Sequence, residues 1–292
     1  MSGATEEADI AALLAHPNFV RAAGHLAHGF SVLKALEPRI SSLFGAQQRW
    51  LLCHMAVAKC FERPLPARPS VSRLDLINAG LHHRLASRNT IAAFVSEALK
   101  YDIIQRAEGR VPARQVRVEL TAKALYLLTG WYVLHLGALD ILDDGDRAAR
   151  FGAAGEAGLR AMAPRVAEGL LASEAIANPA PAYALFAWMD EGGNLMDRLM
   201  GGIDADADPA AERVVTNLSS ISALSESLAV SRTHAGRMIA TAEAQGSLGW
   251  SGRRGRSPIW LSRAFRDAYA RAQAAKLVIV GQAYGRLDVF AL

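Results

Sequence analysis

Two short stretches of the sequence concentrate side chains that can contact a charged, patterned ligand. The first reads "SRTHAGRMI" from Ser231, and the second, "GWSGRRGRSP", begins at Gly249. Arginine carries a planar fork of N–H donors that fits phosphate oxygens and the edge of a guanine base, and a threonine hydroxyl can contact either. The candidate contact residues of these stretches are Ser231, Arg232, Thr233, Arg237, Arg253, Arg254 and Arg256.

To present these residues on one surface, the chain needs a helix that starts at a turn and a hairpin that follows the helix. Ser231 is a suitable N-cap, and Gly246 is suited to end the helix in a left-handed conformation. Apolar residues between them follow helical spacing and predict one buried face, which leaves the arginines on the opposite face. With a short helix predicted over 221–229 and a hairpin over 247–261, this segment predicts a helix-turn-helix followed by a basic wing.

The same pattern occurs 144 residues earlier, where Ser87 stands in the place of Ser231. An asparagine follows at the second helical position, and asparagine can form two hydrogen bonds with the edge of adenine. A second hairpin is predicted over 102–120, with arginines near its tip. The candidate contact residues of this earlier copy are Ser87, Arg88, Asn89, Arg110 and Arg114. The predicted buried positions are Ile91, Phe94, Val95 and Ala98 in the earlier copy and Ala235, Met238, Ile239 and Ala242 in the later one.

The rest of the chain of 292 residues is mostly Ala/Leu-rich with a period of 3.6 residues, which indicates helices. An Asp/Gly-rich segment at 143–152 separates the copies, so we predict an N-terminal domain over 1–145 and a C-terminal domain over 146–292. Helices are predicted over 17–42, 46–62, 70–81, 88–101, 121–141, 147–175, 181–200, 210–217, 221–229, 232–245, 262–276 and 280–290.

The segment "SRNTIAAFVSEALKYDIIQRAEGRVPARQVRVELTAKA" resembles the winged helix of MarR-type transcriptional regulators. "DIIQR" and "VRVELTAKA" match the family pattern, although Ala124 replaces the usual glycine after the wing and "WLSRAF" replaces the "ELT" motif in the later copy. The resemblance implies a fold that is mainly α with small β-hairpin wings. It also implies two tandem winged helix-turn-helix domains packed through a helical layer, so that one chain forms a pseudo-dimer.

By this resemblance the protein is a sequence-specific regulator of transcription that binds double-stranded DNA, with recognition helices in major grooves and arginine-rich wings on phosphates. Two unlike recognition helices predict a target without palindromic symmetry, because operator symmetry mirrors protein symmetry. A small-molecule effector is a possible partner, and the Trp131/Tyr132 cluster could line its pocket, although core packing is the favoured explanation of these aromatic residues. The chain is expected to be a monomeric pseudo-dimer or a homodimer.

The composition is compatible with this interpretation. Apolar residues make up 51% of the chain, enough for a packed core, and the net charge of +4 with a pI of about 9.3 permits an anionic partner. The N-terminal stretch has early acidic residues and no basic region typical of a secretory signal. The longest charge-free apolar stretch, 124–139, is shorter than a membrane span. We therefore expect a cytoplasmic, nucleoid-associated bacterial protein without a membrane partner.

Other candidate sites are better explained without chemistry. "DADAD" at 204–208 lacks the glycine and glutamate of a calcium loop, so we interpret it as a capping turn. The pairs His25/His28 and His82/His83 have no further ligands at metal-site spacing, and the acidic "DILDDGD" at 140–146 has no nucleophile beside it. Cys53 and Cys60, seven residues apart, are too distant for a disulfide within one helix. The sequence therefore predicts no metal, no cofactor and no enzymatic activity.

One alternative from another class remains open. Winged helices also serve as protein–protein interaction modules, and here the partner would be another regulator or RNA polymerase. The exposed face of the earlier copy carries fewer charges than that of the later copy, so the alternative applies to it more strongly.

Overall fold

The computed structural model of the chain describes residues 3–62, 69–107, 117–204, 206–228 and 230–286. These residues are mainly helical, with two small antiparallel sheets of three strands each. The helices are α1 (Gly3–Leu14), α2 (Phe19–Leu36), α3 (Pro38–Leu43), α4 (Gln47–Phe61), α5 (Arg73–His82), α6 (Arg88–Lys100), α7 (Ala122–Asp143), α8 (Arg147–Ala172), α9 (Glu174–Ala177), α10 (Pro181–Ala187), α11 (Gly192–Met200), α12 (Ile221–Leu228), α13 (Arg232–Ala244) and α14 (Arg263–Gly285). The strands are β1 (Ser70–Ser72), β2 (Ile104–Arg106), β3 (Arg117–Leu120), β4 (Arg213–Val215), β5 (Leu248–Trp250) and β6 (Ile259–Ser262).

The two sheets have the same strand order. The first is β1-β3-β2 and the second is β4-β6-β5, with antiparallel pairing throughout. In each sheet the two strands of the hairpin pair with each other, β2 with β3 and β5 with β6. The third strand, β1 or β4, pairs with the second hairpin strand and forms the other edge of the sheet. The hairpins were predicted from the sequence and are confirmed.

The edge strands β1 and β4 were not predicted, and two helix predictions are corrected there. The predicted helix over 70–81 begins only at Arg73, and the predicted helix over 210–217 is wrong because it contains β4. Val71 pairs with Val118, and Val214 pairs with Leu261, in each case 47 residues further along the chain. A strand of three residues has little local periodicity, so its conformation depends on the distant partner strand.

The chain divides into two compact units that differ from the predicted division between residues 145 and 146. Among the described residues, unit 1 contains those of 47–173 and 276–286, and unit 2 contains those of 3–46 and 174–275. The N-terminal helices thus group with the later sequence copy, and the end of α14 groups with the earlier one. A repeat in sequence identifies equivalent elements, whereas the contacts of apolar faces decide which elements share a core.

The core of unit 1 is formed where α4 and α7 pack on α8. Tyr132 and Phe151 are fully buried there, with ring centroids 5.3 Å apart. Among the described residues, α7 is long and apolar enough over its 22 residues to cross a membrane by length and composition, and 39% of its most apolar window is buried. The helix predicted over 121–141 is confirmed as α7, which ends two residues later at Asp143.

His54 of α4 is buried in the same core, and its ring lies 4.9 Å from that of Trp50 and 4.6 Å from that of Trp131. Burial, assisted by the charge of Lys276, lowers the pKa of His54 to about 3. In the unfolded chain a histidine binds its proton near pH 6.5. Since the folded pKa is depressed, the stability that His54 contributes in its neutral form is complete above about pH 6.5 and is lost as the pH falls toward 3.

We expect this histidine to cost the wild-type protein about 2 kcal/mol of stability between pH 7 and pH 5. A His54→Leu variant should lack that loss, because it has no proton to gain on unfolding. Urea unfolding of both proteins at the two pH values measures the difference. Equal losses of stability in the variant and in the wild type would contradict the assignment.

The core of unit 2 joins α2, α10, α11, α12, α13, α14 and the second sheet. Phe186 and Phe265 meet edge to face at 5.0 Å, and the hydroxyl of the buried Tyr269 donates to Asp197 at 2.8 Å. Gly192 at the start of α11 lies so close to the chain that an added Cβ would stand 1.8 Å from the carbonyl oxygen of Phe186. The segment predicted as one helix over 181–200 is therefore broken into α10 and α11 at a tight turn.

Candidate nucleic-acid interface

In unit 1 a turn joins α5 to α6, and polar contacts fix both of its sides. Ser87 is the N-cap of α6, and its hydroxyl accepts from the backbone N–H of Thr90 at 3.2 Å. The side chain of Gln48 donates to the carbonyl oxygen of Leu85 in the turn at 2.7 Å. Gly80 of α5 faces Ile91, where an added Cβ would lie 2.7 Å from the side chain, so the two helices cross closely. The predicted contact residues Arg88 and Asn89 are exposed at the start of α6.

In unit 2 the equivalent turn joins α12 to α13. Ser231 is the N-cap, and its hydroxyl accepts from the backbone N–H of His234 at 3.2 Å. Arg232, Thr233 and Arg237 are exposed on α13. The guanidinium of Arg232 donates to the hydroxyl of Ser222 on α12 at 2.6 Å, so its position is set by the preceding helix.

Helices α6 and α13 are equivalent in length, capping and buried face. Each has 13 residues, and each starts at the residue after its serine cap. The apolar positions predicted to be buried are buried in both: Ile91, Phe94, Val95 and Ala98 in α6, and Ala235, Met238, Ile239 and Ala242 in α13. The opposite face of each N-terminal half is therefore left open to solvent.

Both helices end in a left-handed residue 144 positions apart, which is Asp102 with φ 56° in unit 1 and Gly246 with φ 68° in unit 2. After each, a backbone N–H donates back into the helix, from Ile103 to Ala98 at 2.9 Å and from Ser247 to Ala242 at 3.0 Å. The glycine cap was predicted from the sequence and is confirmed.

We expect Asp102→Gly to stabilise unit 1 by about 0.5–1 kcal/mol, because glycine adopts a positive φ without the steric cost of a side chain. The reciprocal change, Gly246→Ala, should destabilise unit 2 by about 1 kcal/mol for the same reason. Urea unfolding midpoints measure both effects. The interpretation fails if the two substitutions change stability in the same direction.

The wing of unit 2 is an ordered hairpin with a cationic tip. The backbone N–H of Arg256 donates to the carbonyl oxygen of Arg253 at 3.0 Å, and the hydroxyl of Ser257 donates to the same oxygen at 2.7 Å. Gly255 supplies a positive φ of 74° within this turn. The side chains of Arg253 and Arg256 are exposed and form no ion pair within the described part of the chain. The tip thus presents two unpaired cations on a well-defined turn.

Arg254 has a different role from its neighbours. Its guanidinium forms two hydrogen bonds with Glu243 near the end of α13, at 2.8 and 3.0 Å. This pair ties the wing to the helix, so Arg254 orients the wing and is less available for an anionic ligand than Arg253 and Arg256.

The tip of the wing in unit 1 lies outside the described residues, and with it the predicted contact residues Arg110 and Arg114. Two further arginines flank the tip on its strands. Arg106 of β2 is exposed, whereas the guanidinium of Arg117 donates to the hydroxyl and the carbonyl oxygen of Ser70 on β1. Arg117 therefore links β3 to β1 within the sheet, and its guanidinium is engaged there.

Sequence reasoning missed one exposed cation beside the wing of unit 2. Arg213 of β4 lies over the ring of Trp260, with its guanidinium carbon 4.2 Å from the ring centroid. Trp260 in turn covers Gly249 of the paired strand, where an added Cβ would lie 2.4 Å from the indole. The β-branched run "RVVT" at 213–216 is the sequence signal for this strand, but the helix predicted over 210–217 covered it.

The candidate metal and cysteine sites for which the sequence predicted no chemistry are accounted for by local structure and burial. Two turns in the "DADAD" loop are closed by aspartate side chains: the backbone N–H of Asp206 donates to the carboxylate of Asp204 at 3.0 Å, and that of Ala210 donates to the carboxylate of Asp208 at 2.8 Å. Burial raises the pKa of the Cys60 thiol to about 12, so it is unreactive. Among the described residues no group of three or more histidine, cysteine or acidic side chains is arranged to hold a metal.

The aromatic residues around Trp131 form a packed cluster. The ring of Trp131 contacts those of Tyr132 and His135 at 5.1 and 3.8 Å, and Nδ1 of His135 lies 2.8 Å from the carbonyl oxygen of Trp131. The surface groove found in unit 1 lies elsewhere, between α4, β1 and α5.

Comparison of the chain with protein-family models, with curated proteins and with solved structures produced no match.

Proposed function

We propose that this protein binds double-stranded DNA and regulates transcription, with a winged helix-turn-helix in each unit and with α6 and α13 as recognition helices. The observation that carries the proposal is the surface of unit 2. There, the exposed Arg232, Thr233 and Arg237 of α13 are joined through the Arg254–Glu243 pair to a tip bearing Arg253 and Arg256. The order of strand, two helices and antiparallel hairpin in both units supports the same interpretation.

In this proposal α13 enters the major groove by its N-terminal half. That is the part of a recognition helix that contacts base edges in helix-turn-helix proteins. The wing lies over the backbone, where each arginine that neutralises a phosphate releases counterions. Phosphate contacts position the protein, and base contacts supply specificity.

We further propose, on the MarR resemblance, that the two units form an internal pseudo-dimer. The two helices present different side chains, with Arg88 and Asn89 on α6 against Arg232 and Arg237 on α13. The proposed target is therefore a DNA site without palindromic symmetry, contacted by a single chain.

A protein-interaction module is the second candidate, and it applies to α6. Behind Arg88 and Asn89 this side of the helix continues with Ala92, Ala93 and Ser96, so it carries no further charge until Lys100 at the last position of α6. A partner protein could cover such a face without the phosphate contacts that DNA requires.

Electrophoretic retardation of genomic fragments at about 50 and 200 mM salt tests the proposal. We expect binding that weakens by about 10³-fold or more across this range if six or more phosphates are contacted. A variant with alanine at Arg232, Arg237, Arg253 and Arg256 should lose retardation at both salt concentrations. The charge-matched control has alanine at Arg21, Arg150, Arg165 and Arg286, which are exposed outside these elements, and should still retard the fragments. The proposal fails if the wild type retards no fragment, or if both variants bind equally.

A further inference from the structure

Helix α13 contains an interior glycine that the fold does not need. An added Cβ at Gly236 would meet no atom within 4 Å, and the backbone there is helical. Glycine inside a helix reduces stability relative to alanine, because it loses more conformational freedom on folding. Some helical glycines are required by packing, as with Gly80 against Ile91 and Gly169 against Ile279, where an added Cβ would lie 2.7 and 2.6 Å from a side chain. Gly24 on α2 and Gly152 on α8 are as open as Gly236, so what distinguishes Gly236 is its place between two exposed arginines.

The position of Gly236 on the helix is between the two arginines. At 3.6 residues per turn, Gly236 lies about 40° around the axis from Arg232, and Arg237 lies about 140° from Arg232. Thr233 and Ala240 occupy the rest of the arc between the two arginines, so the side chains between them are short. The four buried residues of α13 lie on the other side of the helix; they are Ala235, Met238, Ile239 and Ala242.

We propose that α13 docks into the major groove at direct backbone contact, with Gly236 against the base edges and with Arg232 and Arg237 each donating to a guanine. This inference rests on the proposed function and specifies it: the target of unit 2 is a duplex segment with guanines on both sides of the point of closest approach. Arginine pairs bidentately with O6 and N7 of guanine, and a helix without a side chain at the contact can approach more closely.

The contacts of the two arginines are compatible with this role. Arg232 donates one hydrogen bond to Ser222, which orients its guanidinium and leaves other N–H donors for a base. Arg237 is exposed, and no ion pair or side-chain hydrogen bond engages it within the described residues. Its carbonyl oxygen accepts from the hydroxyl of Thr241 at 2.9 Å, a contact that leaves the guanidinium available.

Helix α6 differs at each of these positions. Ala92 occupies the place of Gly236, and Asn89 and Ala93 occupy those of Thr233 and Arg237. A methyl group stands where α13 has none, and only Arg88 remains as a cation in the first two turns. The preference for guanine is therefore assigned to α13 and not to α6.

The first experiment selects, with the wild-type protein, duplexes of about 30 base pairs from a pool with a randomised centre. Affinity for the enriched duplex is then measured for Gly236→Ala and Gly236→Leu. We expect the alanine variant to bind about tenfold more weakly and the leucine variant more weakly still, while the urea unfolding midpoint of Gly236→Ala is equal to or above that of the wild type. Gly24→Ala is the matched control, since Gly24 is also an open helical glycine but lies on α2. It should bind as the wild type does.

The second experiment replaces each guanine of the enriched duplex in turn by 7-deazaguanine, which lacks the N7 acceptor. Wild-type affinity should fall roughly 5- to 100-fold at the guanines that face the arginines. At one of these positions the replacement should have no further effect on Arg237→Ala, because the donor is already absent.

The outcomes separate this inference from the proposed function. If the wild type enriches no duplex, the proposed function fails. If it enriches a duplex but Gly236→Ala binds it as tightly as the wild type, backbone contact at Gly236 is wrong. If the selected part of the duplex contains no guanine, or if 7-deazaguanine leaves the wild-type affinity unchanged at every position, the assignment of Arg232 and Arg237 to guanines is wrong while DNA binding stands.

Discussion

Replacing Lys34 with methionine is expected to destabilise unit 2 by about 3–5 kcal/mol. The ammonium group of Lys34 is buried in α2 and donates to the carbonyl oxygen of Pro38 at 2.9 Å, to the hydroxyl of Ser42 at 2.7 Å and to the carboxylate of Glu191 at 2.9 Å. All three of its donors are used. Without it, the Glu191 carboxylate remains buried with only the amide of Asn194, at 2.8 Å, to compensate its charge.

The partner residue allows a sharper test than the single substitution. Glu191→Gln should also destabilise the unit, because it leaves a buried ammonium beside a neutral amide. The double variant Lys34→Met/Glu191→Gln should be less destabilised than Lys34→Met alone, since no uncompensated buried charge remains. Urea unfolding of the four proteins forms a double-mutant cycle.

An exposed ion pair in unit 1 provides the control. Lys59 and Glu62 of the α4 region approach to 2.6 Å with side chains that are 34% and 56% exposed. Lys59→Met should change stability by less than about 1 kcal/mol, as is usual for ion pairs in contact with water. A loss as small as this for Lys34→Met would show that the buried pair does not hold unit 2 together.

The second large effect is expected in DNA binding and separates the two parts of the interface. Alanine at both Arg232 and Arg237 should weaken binding to the selected duplex by roughly 100-fold or more, since each base contact contributes about 1–3 kcal/mol. Alanine at both Arg253 and Arg256 should weaken binding to all sequences alike and reduce the slope of log affinity against log salt by about 2. Titrations with the selected duplex and with a scrambled duplex, each at several salt concentrations, measure both quantities.

Two further variants control for charge and for the tethered arginine. Alanine at Arg21 and Arg165 removes the same charge elsewhere and should leave affinity and slope nearly unchanged. Arg254→Ala should act through the position of the wing, because its guanidinium is engaged by Glu243. Equal losses of specificity from the helix pair and the wing pair would contradict this division between base and phosphate contacts.

Local patterns predicted the parts of the candidate site that depend on local interactions. The two serine caps, the start of α6 and α13, their buried faces and the glycine that ends α13 are as predicted. Each depends on residues within about one or two turns of helix, where side-chain type and spacing decide the conformation. The hairpins were predictable for the same reason, since an alternating run on each side of a turn pairs with itself.

Elements that depend on distant partners were not predicted. The strands β1 and β4 form only because a hairpin strand lies beside them, and the break between α10 and α11 depends on a close approach of Gly192 to Phe186. Helix α14 continues through 277–279, where two separate helices had been predicted.

The sequence by itself determined where two equivalent helical turns and wings stand and which arginines could contact an anion. Only the tertiary structure decided which of those arginines remain available: Arg254 is held by Glu243 and Arg117 by Ser70, whereas Arg237, Arg253 and Arg256 project freely among the described residues. The tertiary structure also decided that residues 3–46 share a compact unit with the later copy. The physical reason is that caps and helical faces follow from near neighbours in the chain, whereas an ion pair or a shared core joins residues whose separation in sequence carries no information about their distance in space.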